Sequence, residues 1–192
     1  MSPFACGVEN SLLGQPWRWR RAGGDELGRD LTDQLLLARG IEEADLARHR
    51  QPTIRDFLPD PSAFADMDKA AARLADAVQA AETIAIFGDY DVDGATSAAL
   101  LTILLRQLGN EPMVYIPDRL MEGYGPSGAA LVELKRRGAS LAITVDCGAQ
   151  AFDALQEAAD ADLDVIVCDH HQCATSLPVA HSVINPNRLD ES

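Results

Sequence analysis

The feature that most constrains the fold is an alternation of short apolar runs with helical segments from residue 83 onward. The predicted strands are residues 83–89, 113–116, 141–146 and 164–169, and the predicted helices between them are residues 95–108, 127–137 and 149–160. Short strands that are apolar throughout and separated by helices are typical of a parallel sheet covered on both faces. The sequence therefore predicts an α/β fold with a parallel sheet flanked by helices.

The first 65 residues lack this alternation and are predicted to form a leader with short helices. Thr32 is placed to cap a helix that ends at Gly40, and residues 42–49 can add one or two turns. Residues 66–82 then carry apolar side chains at spacings of three and four, which is typical of an amphipathic helix. We therefore expect a leader at 1–65, including a basic and aromatic run at 17–21, and an α/β domain at 66–192.

Composition limits the classes of partner. The 192 residues include 16 Lys and Arg against 30 Asp and Glu, a net charge of −14. Such a chain is not expected to coat nucleic acid with its whole surface, so any such contact must be local. The sequence contains no apolar stretch of the roughly 20 residues that a membrane helix needs, and no signal peptide is visible. We expect a cytoplasmic protein without a membrane, and four free cysteines.

Acidic residues and histidines follow three of the four predicted strands: Asp89, Asp91 and Asp93, then Asp146, then Asp169, His170 and His171. In an open parallel sheet, ligands bind beyond the carboxyl ends of the strands. One Asp there is an ordinary turn residue, but two carboxylates about 4 Å apart repel by roughly 4 kcal/mol at an effective dielectric near 20. The set is therefore predicted to hold cations, and oxygen ligands with imidazole suit Mn²⁺ or Mg²⁺. A shared carboxylate can bridge two such ions.

Three rival sites are less favoured. Residues 89–94 match the opening of an EF-hand loop, but Leu100 stands where that loop needs Glu, and a strand-like run precedes it. A zinc site at Cys168 and Cys173 lacks the usual ligand spacing, and Cys168 is expected inside a buried strand. A dinucleotide site is not favoured because the sequence after Gly88 shows no G-x-G-x-x-G.

Three motifs, in order and spacing, resemble the DHH phosphoesterase superfamily: GDYDVDG at 88–94, VDCG at 145–148 and DHH at 169–171. Further segments are similar to its single-stranded-DNA-specific 5′→3′ exonucleases, namely LLLARGI, DFLPD, PDRLMEGYGPS and INPNR. The resemblance covers roughly residues 35–188. It implies a Rossmann-like DHH domain that hydrolyses phosphodiesters of single-stranded DNA with two Mn²⁺ or Mg²⁺ ions and without a protein nucleophile.

The resemblance also implies roles for individual residues. The implied metal ligands are Asp89, Asp91, Asp93, Asp146 and His170. Catalysis is assigned to Asp146, as the bridging ligand, with His170 and with His171 near the scissile phosphate. The candidate substrate contacts are His171, Arg119, Tyr124, Ser127, Asn185 and Arg188. For the last five, an ordinary crossover loop and a turn around Pro186 remain open as alternatives.

Members of the superfamily continue into a fourth motif with another Asp ligand and into a second domain, and no such motif follows residue 171. We therefore expect an incomplete metal site and weak activity of this chain alone. Two alternatives stay open: an inactive nucleic-acid-binding or scaffold module, and a smaller phosphoesterase that acts on oligonucleotides. Contacts with other DNA-repair proteins are also expected. Because the acids and both histidines are all present, an enzyme is favoured.

Overall fold

The computed structural model describes residues 8–17 and 30–190, and the chain divides into two compact units, Met1–Pro59 and Asp60–Ser192. The described part of the first unit contains helices α1 (Leu31–Ala38), α2 (Leu46–Arg50) and α3 (Ile54–Phe57), with a 3₁₀ turn at Glu43–Asp45. Of the basic and aromatic run at 17–21, residues 18–21 lie outside the described residues.

The cap of α1 differs from the prediction. The carboxylate of Asp30 accepts a hydrogen bond from the Thr32 N–H at 2.8 Å, so Asp30, and not Thr32, caps the helix. The non-helical backbone of Asp30 (φ −54°, ψ 139°) lets its short side chain turn back onto the free amides of the first turn. Either residue type can cap, and the sequence alone does not show at which one the helical backbone starts.

The second unit carries the predicted alternation of strands and helices. It begins with a 3₁₀ turn (Pro61–Ala63) and continues with α4 (Met67–Gln79), β1 (Ile84–Gly88), α5 (Val92–Gln107), β2 (Met113–Tyr115), α6 (Gly128–Arg136), β3 (Leu141–Val145), α7 (Phe152–Asp160), β4 (Asp164–Cys168) and β5 (Ser182–Ile184). All four predicted strands are present. The prediction did not include β5, whose three residues are too few for a periodic pattern. The 3₁₀ turn, which the prediction placed in the leader, belongs to this unit.

The five strands form one parallel sheet in the order β2-β1-β3-β4-β5. The α/β prediction is thus confirmed. Every residue of β1 and β3 is buried, because helices cover both faces and leave no solvated side for polar residues. One core packs Phe87 and Val167 against α6 and α7, and the other packs Ile86 and Ile143 against α4 and α5.

The strand order places a binding crevice between β1 and β3. From β1 the chain goes to β2 on one side, and it then returns to build β3, β4 and β5 on the other. Ligands of such sheets bind outside the carboxyl ends of the strands at the point where the order reverses. None of the described helices is both long enough and apolar enough to cross a membrane.

A close approach of α5 to β1 gives the first testable prediction. A Cβ added at Gly94 would lie 2.4 Å from the carbonyl oxygen of Asp89 and 2.6 Å from its nitrogen. Gly94→Ala should therefore push α5 away from β1 and lower the free energy of unfolding by about 3 kcal/mol, the upper end for overpacking. Urea denaturation measures this.

Gly109→Ala is the matched control. Its added Cβ would meet no atom within 4 Å, so only the left-handed backbone (φ +82°) opposes it. This backbone strain should lower the free energy of unfolding by about 1 kcal/mol. Equal stability of the two variants would contradict the tight contact at Gly94.

Candidate metal centre

The site is built by the first residue after each of three neighbouring strands. Asp89 follows β1, Asp146 follows β3 and Asp169 follows β4. Each continues the ladder by one hydrogen bond: the Asp89 N–H donates to Val145 O at 3.2 Å, the Asp146 N–H to Cys168 O at 2.9 Å, and the Asp169 N–H to Ile184 O at 3.0 Å. The three aspartate backbones are therefore fixed by the sheet itself.

Asp89, Asp91 and Asp146 form a first group, whose ligand atoms all lie within 4.8 Å of one another. Asp89 and Asp146 are buried, whereas Asp91 is exposed. Asp91 caps α5, because its Oδ1 accepts hydrogen bonds from the N–H groups of Asp93 at 2.9 Å and Gly94 at 3.1 Å. Its position is thus set by the start of a helix and that of Asp89 by the end of a strand.

Asp146 also belongs to a second group, with His170 and His171. Nε2 of His170 lies 2.9 Å from Oδ1 of Asp146. The backbone of Asp146 is left-handed (φ 61°), which turns the chain sharply out of β3, and Asp is one of the few residue types that tolerate it. A carboxylate shared by two ligand groups is the arrangement that the bridging role of Asp146 requires.

Asp93 is in neither group. It lies in the first turn of α5 and is exposed, and its N–H donates to Asp91. Its assignment as a metal ligand stays a prediction.

The charges of this centre are only partly balanced. Burial raises the pKa of Asp146, and the neighbouring carboxylate of Asp91 raises it further, while His170 and His171 act in the opposite direction. The hydrogen bond from the Gly94 N–H lowers the pKa of Asp91. Among the described residues, no aligned donor reaches Oδ1 of Asp89 or either carboxylate oxygen of Asp146, although all three atoms are buried. Buried carboxylate oxygens without donors, next to imidazole nitrogens, fit a divalent cation such as Mn²⁺.

Asp169 holds the histidine loop, which is the segment after β4 that carries His170 and His171. Its Oδ2 accepts a hydrogen bond from the Ala149 N–H at 2.9 Å, and its Oδ1 accepts from the backbone N–H groups of His170 at 2.7 Å and His171 at 3.1 Å. Oδ1 also lies 2.7 Å from Nδ1 of His171. Burial opposes ionisation, but these hydrogen bonds outweigh it and lower the pKa of Asp169. The hydrogen bond to Asp169 in turn raises the pKa of His171.

Tyr124 stands over the other side of His171. Its hydroxyl lies 3.1 Å from Nδ1 and 3.3 Å from Nε2. Since Nδ1 is engaged by Asp169, Nε2 is the nitrogen left for the hydroxyl or for a substrate. Tyr124, Gly125, Gly148 and His171 line part of a cleft of about 470 Å³. Burial raises the pKa of Tyr124, so its hydroxyl keeps its proton.

The comparisons with known proteins agree with this geometry. A family model described as the DHH family, N-terminal domain, matches residues 83–192. The chain belongs to the DHH family. It is 37% identical over 188 residues to the single-stranded-DNA-specific exonuclease RecJ of Bacillus subtilis, a match that covers 92% of this chain and 24% of the relative. The chain thus spans about a quarter of the length of that relative.

Two solved structures are also similar to the chain. One, described as exonuclease RecJ bound to manganese, matches with a TM-score of 0.58 and 35% identity over 65% of this chain and 32% of that one. The other, RecJ from Thermus thermophilus in complex with Mn²⁺, gives a TM-score of 0.62 and 26% identity over 82% of this chain and 21% of that one. The resemblance to the DHH superfamily is confirmed.

Two of the predicted substrate contacts of this DHH domain, Tyr124 and His171, line the cleft, and the structure gives Ser127 and Arg119 other contacts. Ser127 caps α6 by accepting from the Ala130 N–H at 3.2 Å, and the guanidinium of Arg119 lies 5.0 Å from the ring centre of Tyr90. Arg119 is exposed.

Asn185 and Arg188 are placed differently from the prediction. Asn185 is fully buried, with its amide nitrogen donating to the carbonyl oxygen of His171 at 2.9 Å. Arg188 is buried, and its guanidinium donates to Asp66 and Asp190 and to the carbonyl oxygen of Val183. Neither side chain can reach a phosphate without breaking these bonds. The motif INPNR left both outcomes open, because its residue types suit a phosphate contact and a turn around Pro186 equally well.

The three cysteines in the described part of the chain do not contribute to either ligand group. Cys147, Cys168 and Cys173 are free, and Cys6 lies outside the described residues. The expectation that Cys168 is buried was wrong: it is exposed at the end of β4, while the three residues before it are buried. Asp169 and Asn187 hold the histidine loop, a role that was not predicted for either residue. For Asp169 the signal was its place directly after a strand, beside two histidines.

The Asp169–His171 pair gives a prediction on pH dependence. In Asp169→Asn, a neutral amide no longer favours the imidazolium, so the pKa of His171 should fall toward its ordinary value. A raised pKa means that the pair stabilises the fold fully below the unfolded-state pKa of about 6.5. That contribution is lost as pH rises through the folded-state pKa. An NMR titration of the histidine ring protons measures the shift.

Asp160→Asn removes the same charge from the exposed end of α7 and is the control. It should leave the pKa of His171 unchanged. A His171 titration that is identical in Asp169→Asn and in the parent chain would contradict the pairing.

Proposed function

We propose that this chain is the metal-binding catalytic part of a single-stranded-DNA-specific exonuclease that hydrolyses phosphodiester bonds. The observation that carries the proposal is Asp146, a buried carboxylate shared by an acidic group on one side and by two histidines on the other. The DHH relatives support it, since two that are similar over most of this chain are described as exonucleases specific for single-stranded DNA. Cleavage from the 5′ end is part of the proposal.

The residues would suit two divalent ions, Mn²⁺ or Mg²⁺, and Asp146 belongs to both ligand groups that would hold them. Asp89 and Asp91 would hold one ion, and His170 the other, and Asp93 is the remaining proposed ligand. Bound divalent ions polarise a phosphate and lower the pKa of water, which supplies a nucleophile at neutral pH. Because these ligands come from the ends of several strands, they would also keep the ions fixed while negative charge develops on the phosphate oxygens.

His171 acts on the phosphate rather than as a nucleophile. Asp169 engages Nδ1 and favours the protonated ring, so Nε2 carries a hydrogen that can be donated to a phosphate oxygen. The hydroxyl of Tyr124 lies within reach of the same ring and limits its rotation. Each of these groups stabilises the charge that builds up on the phosphate during hydrolysis.

The substrate is proposed to enter over the loop between β2 and α6. Tyr124 is half exposed and can stack on a base, and Arg119 carries a positive charge beside Tyr90. Ser127 lies at the start of α6. Local contacts of this kind suit a chain whose net charge is −14, because most of its surface repels DNA.

A cytoplasmic location and contacts with other DNA-repair proteins complete the proposal. A scaffold without catalysis is less favoured, since a binding module has no need of a buried carboxylate shared by two groups of metal-ligating side chains. A smaller phosphoesterase acting on oligonucleotides is less favoured because the exonuclease relative matches over 92% of this chain, including the part before residue 83.

The test combines metal binding with digestion. Mn²⁺ is titrated calorimetrically into the 192-residue chain, for which we expect weak binding that is lost in Asp146→Asn. Digestion of a 5′-labelled single strand is then followed for a chimera in which this chain replaces the matching part of the Bacillus subtilis relative. We expect Mn²⁺-dependent digestion that falls more than about 100-fold in Asp146→Asn, above the usual cost of losing a ligand's supporting partner.

Asp162→Asn is the matched control, because Asp162 shares the left-handed backbone of Asp146 (φ 59° against 61°) but is exposed after α7. It should bind Mn²⁺ and digest DNA like the parent. A chimera that folds and binds Mn²⁺ but leaves single strands intact would overturn the nuclease proposal. Rapid digestion by the 192-residue chain alone would refute the expected incomplete site.

A further inference from the structure

The segment 185–188 supports the loop that carries both histidines. The side-chain amide of Asn185 donates to the carbonyl oxygen of His171 at 2.9 Å. The side-chain amide of Asn187 donates to the carbonyl oxygen of His170. Each histidine carbonyl is thus held by an asparagine that follows β5.

Asn185 is itself held in place. It is fully buried, and its Oδ1 accepts a hydrogen bond from the Asn187 N–H at 2.8 Å, which fixes the orientation of the carboxamide. The Arg188 N–H donates to the carbonyl oxygen of Asn185 at 3.2 Å, and the Arg188 guanidinium donates to Asp66 at 2.9 Å and to Val183 O at 2.6 Å. The turn is therefore anchored to β5 and to the start of α4.

The histidine loop is bonded from both sides. Asp169 accepts from the N–H groups of His170 and His171, while Asn185 and Asn187 donate to their carbonyl oxygens. A peptide segment whose donors and acceptors are both engaged has little freedom to rotate. Its imidazoles then keep their distances to Asp146, 2.9 Å in the case of His170.

We propose that Asn185 and Asn187 are positioning residues that hold the backbone of His170 and His171, so that the ring of His170 faces Asp146 in the geometry that a divalent cation needs and the ring of His171 stays paired with Asp169. The inference rests on the proposed function for its cation and on the structure for its contacts. A group that orients a metal ligand is expected to affect metal affinity without touching the metal. The full burial of Asn185 separates this role from substrate binding.

The first measurement is hydrogen exchange at single amides, which needs no metal. In Asn185→Asp, an oxygen replaces the donor against the carbonyl of His171, and in Asn187→Ala the donor to His170 is lost. We expect the His170 and His171 amides to exchange at least about tenfold faster in both variants, with β3 amides unchanged. Asn187 is exposed, so its variant tests the proposal even where Asn185→Asp destabilises the whole fold.

Asn110→Asp is the matched control. The side-chain amide of Asn110 also donates to a backbone carbonyl, that of Glu82 at 2.9 Å, but near the amino end of β1. It should leave the exchange of the histidine amides unchanged. Exchange of His170 and His171 at the parent rate in both test variants would overturn the proposal.

The second measurement is Mn²⁺ affinity, from the EPR signal of the free ion. We expect affinity about 10- to 100-fold weaker in both test variants and unchanged in Asn110→Asp. Variants that lose thermal stability but bind Mn²⁺ like the parent would show a merely structural role and overturn the proposal. If the parent itself binds no Mn²⁺, the proposed function fails, and hydrogen exchange alone decides whether the asparagines hold the loop.

Discussion

The site depends on a ladder of hydrogen bonds that runs one residue past the strands. The N–H groups of Asp89, Asp146 and Asp169 each donate to a carbonyl of the neighbouring strand. These bonds bring like charges together on one edge of the sheet, although the carboxylates repel one another. The carboxylates stay close because these hydrogen bonds fix the backbone positions of the three aspartates. The sheet, stabilised by two buried cores, thus provides the energy that holds an electrostatically unfavourable arrangement.

The protein neutralises this repulsion unequally. Asp169 is satisfied by hydrogen bonds from the loop, and Asp91 by the free amides at the start of α5. Asp146 is left with buried oxygens that have no aligned donor in the part of the chain that the structure describes. Its raised pKa shows the cost of that environment for the anion. A divalent cation removes the cost directly, which is why the least satisfied carboxylate is also the one shared by both ligand groups.

The sequence predicted the sheet and the convergence of its acids because both follow from local patterns. Buried parallel strands are continuous apolar runs, and the residue after each strand necessarily lies at the carboxyl edge. The sequence could not predict which partners the polar side chains at this edge of the sheet would contact. Asn185 and Arg188 have the chemistry of phosphate ligands, yet burial and the bonds to His171 and Asp66 make them supports. The prediction that Cys168 is buried was wrong for a related reason, since only the three middle residues of β4 are buried.

Burial also bears on how an acidic chain could act on a polyanion, as the proposed function requires. Most of the acidic side chains in the described part of the chain lie on the surface and would repel DNA at long range, with a reach of about 10 Å at 0.1 M salt. At the crevice, Asp89 and Asp146 are buried, Asp91 and Asp169 accept hydrogen bonds, and bound divalent ions would reverse the sign of the local field. Tyr124, Arg119 and the two histidine rings are exposed without negative charge, whereas Asp91 and Asp93 are exposed carboxylates that bound ions would neutralise. Under the proposed function, a strand that reached bound ions would gain a favourable contact that the acidic surface elsewhere does not offer.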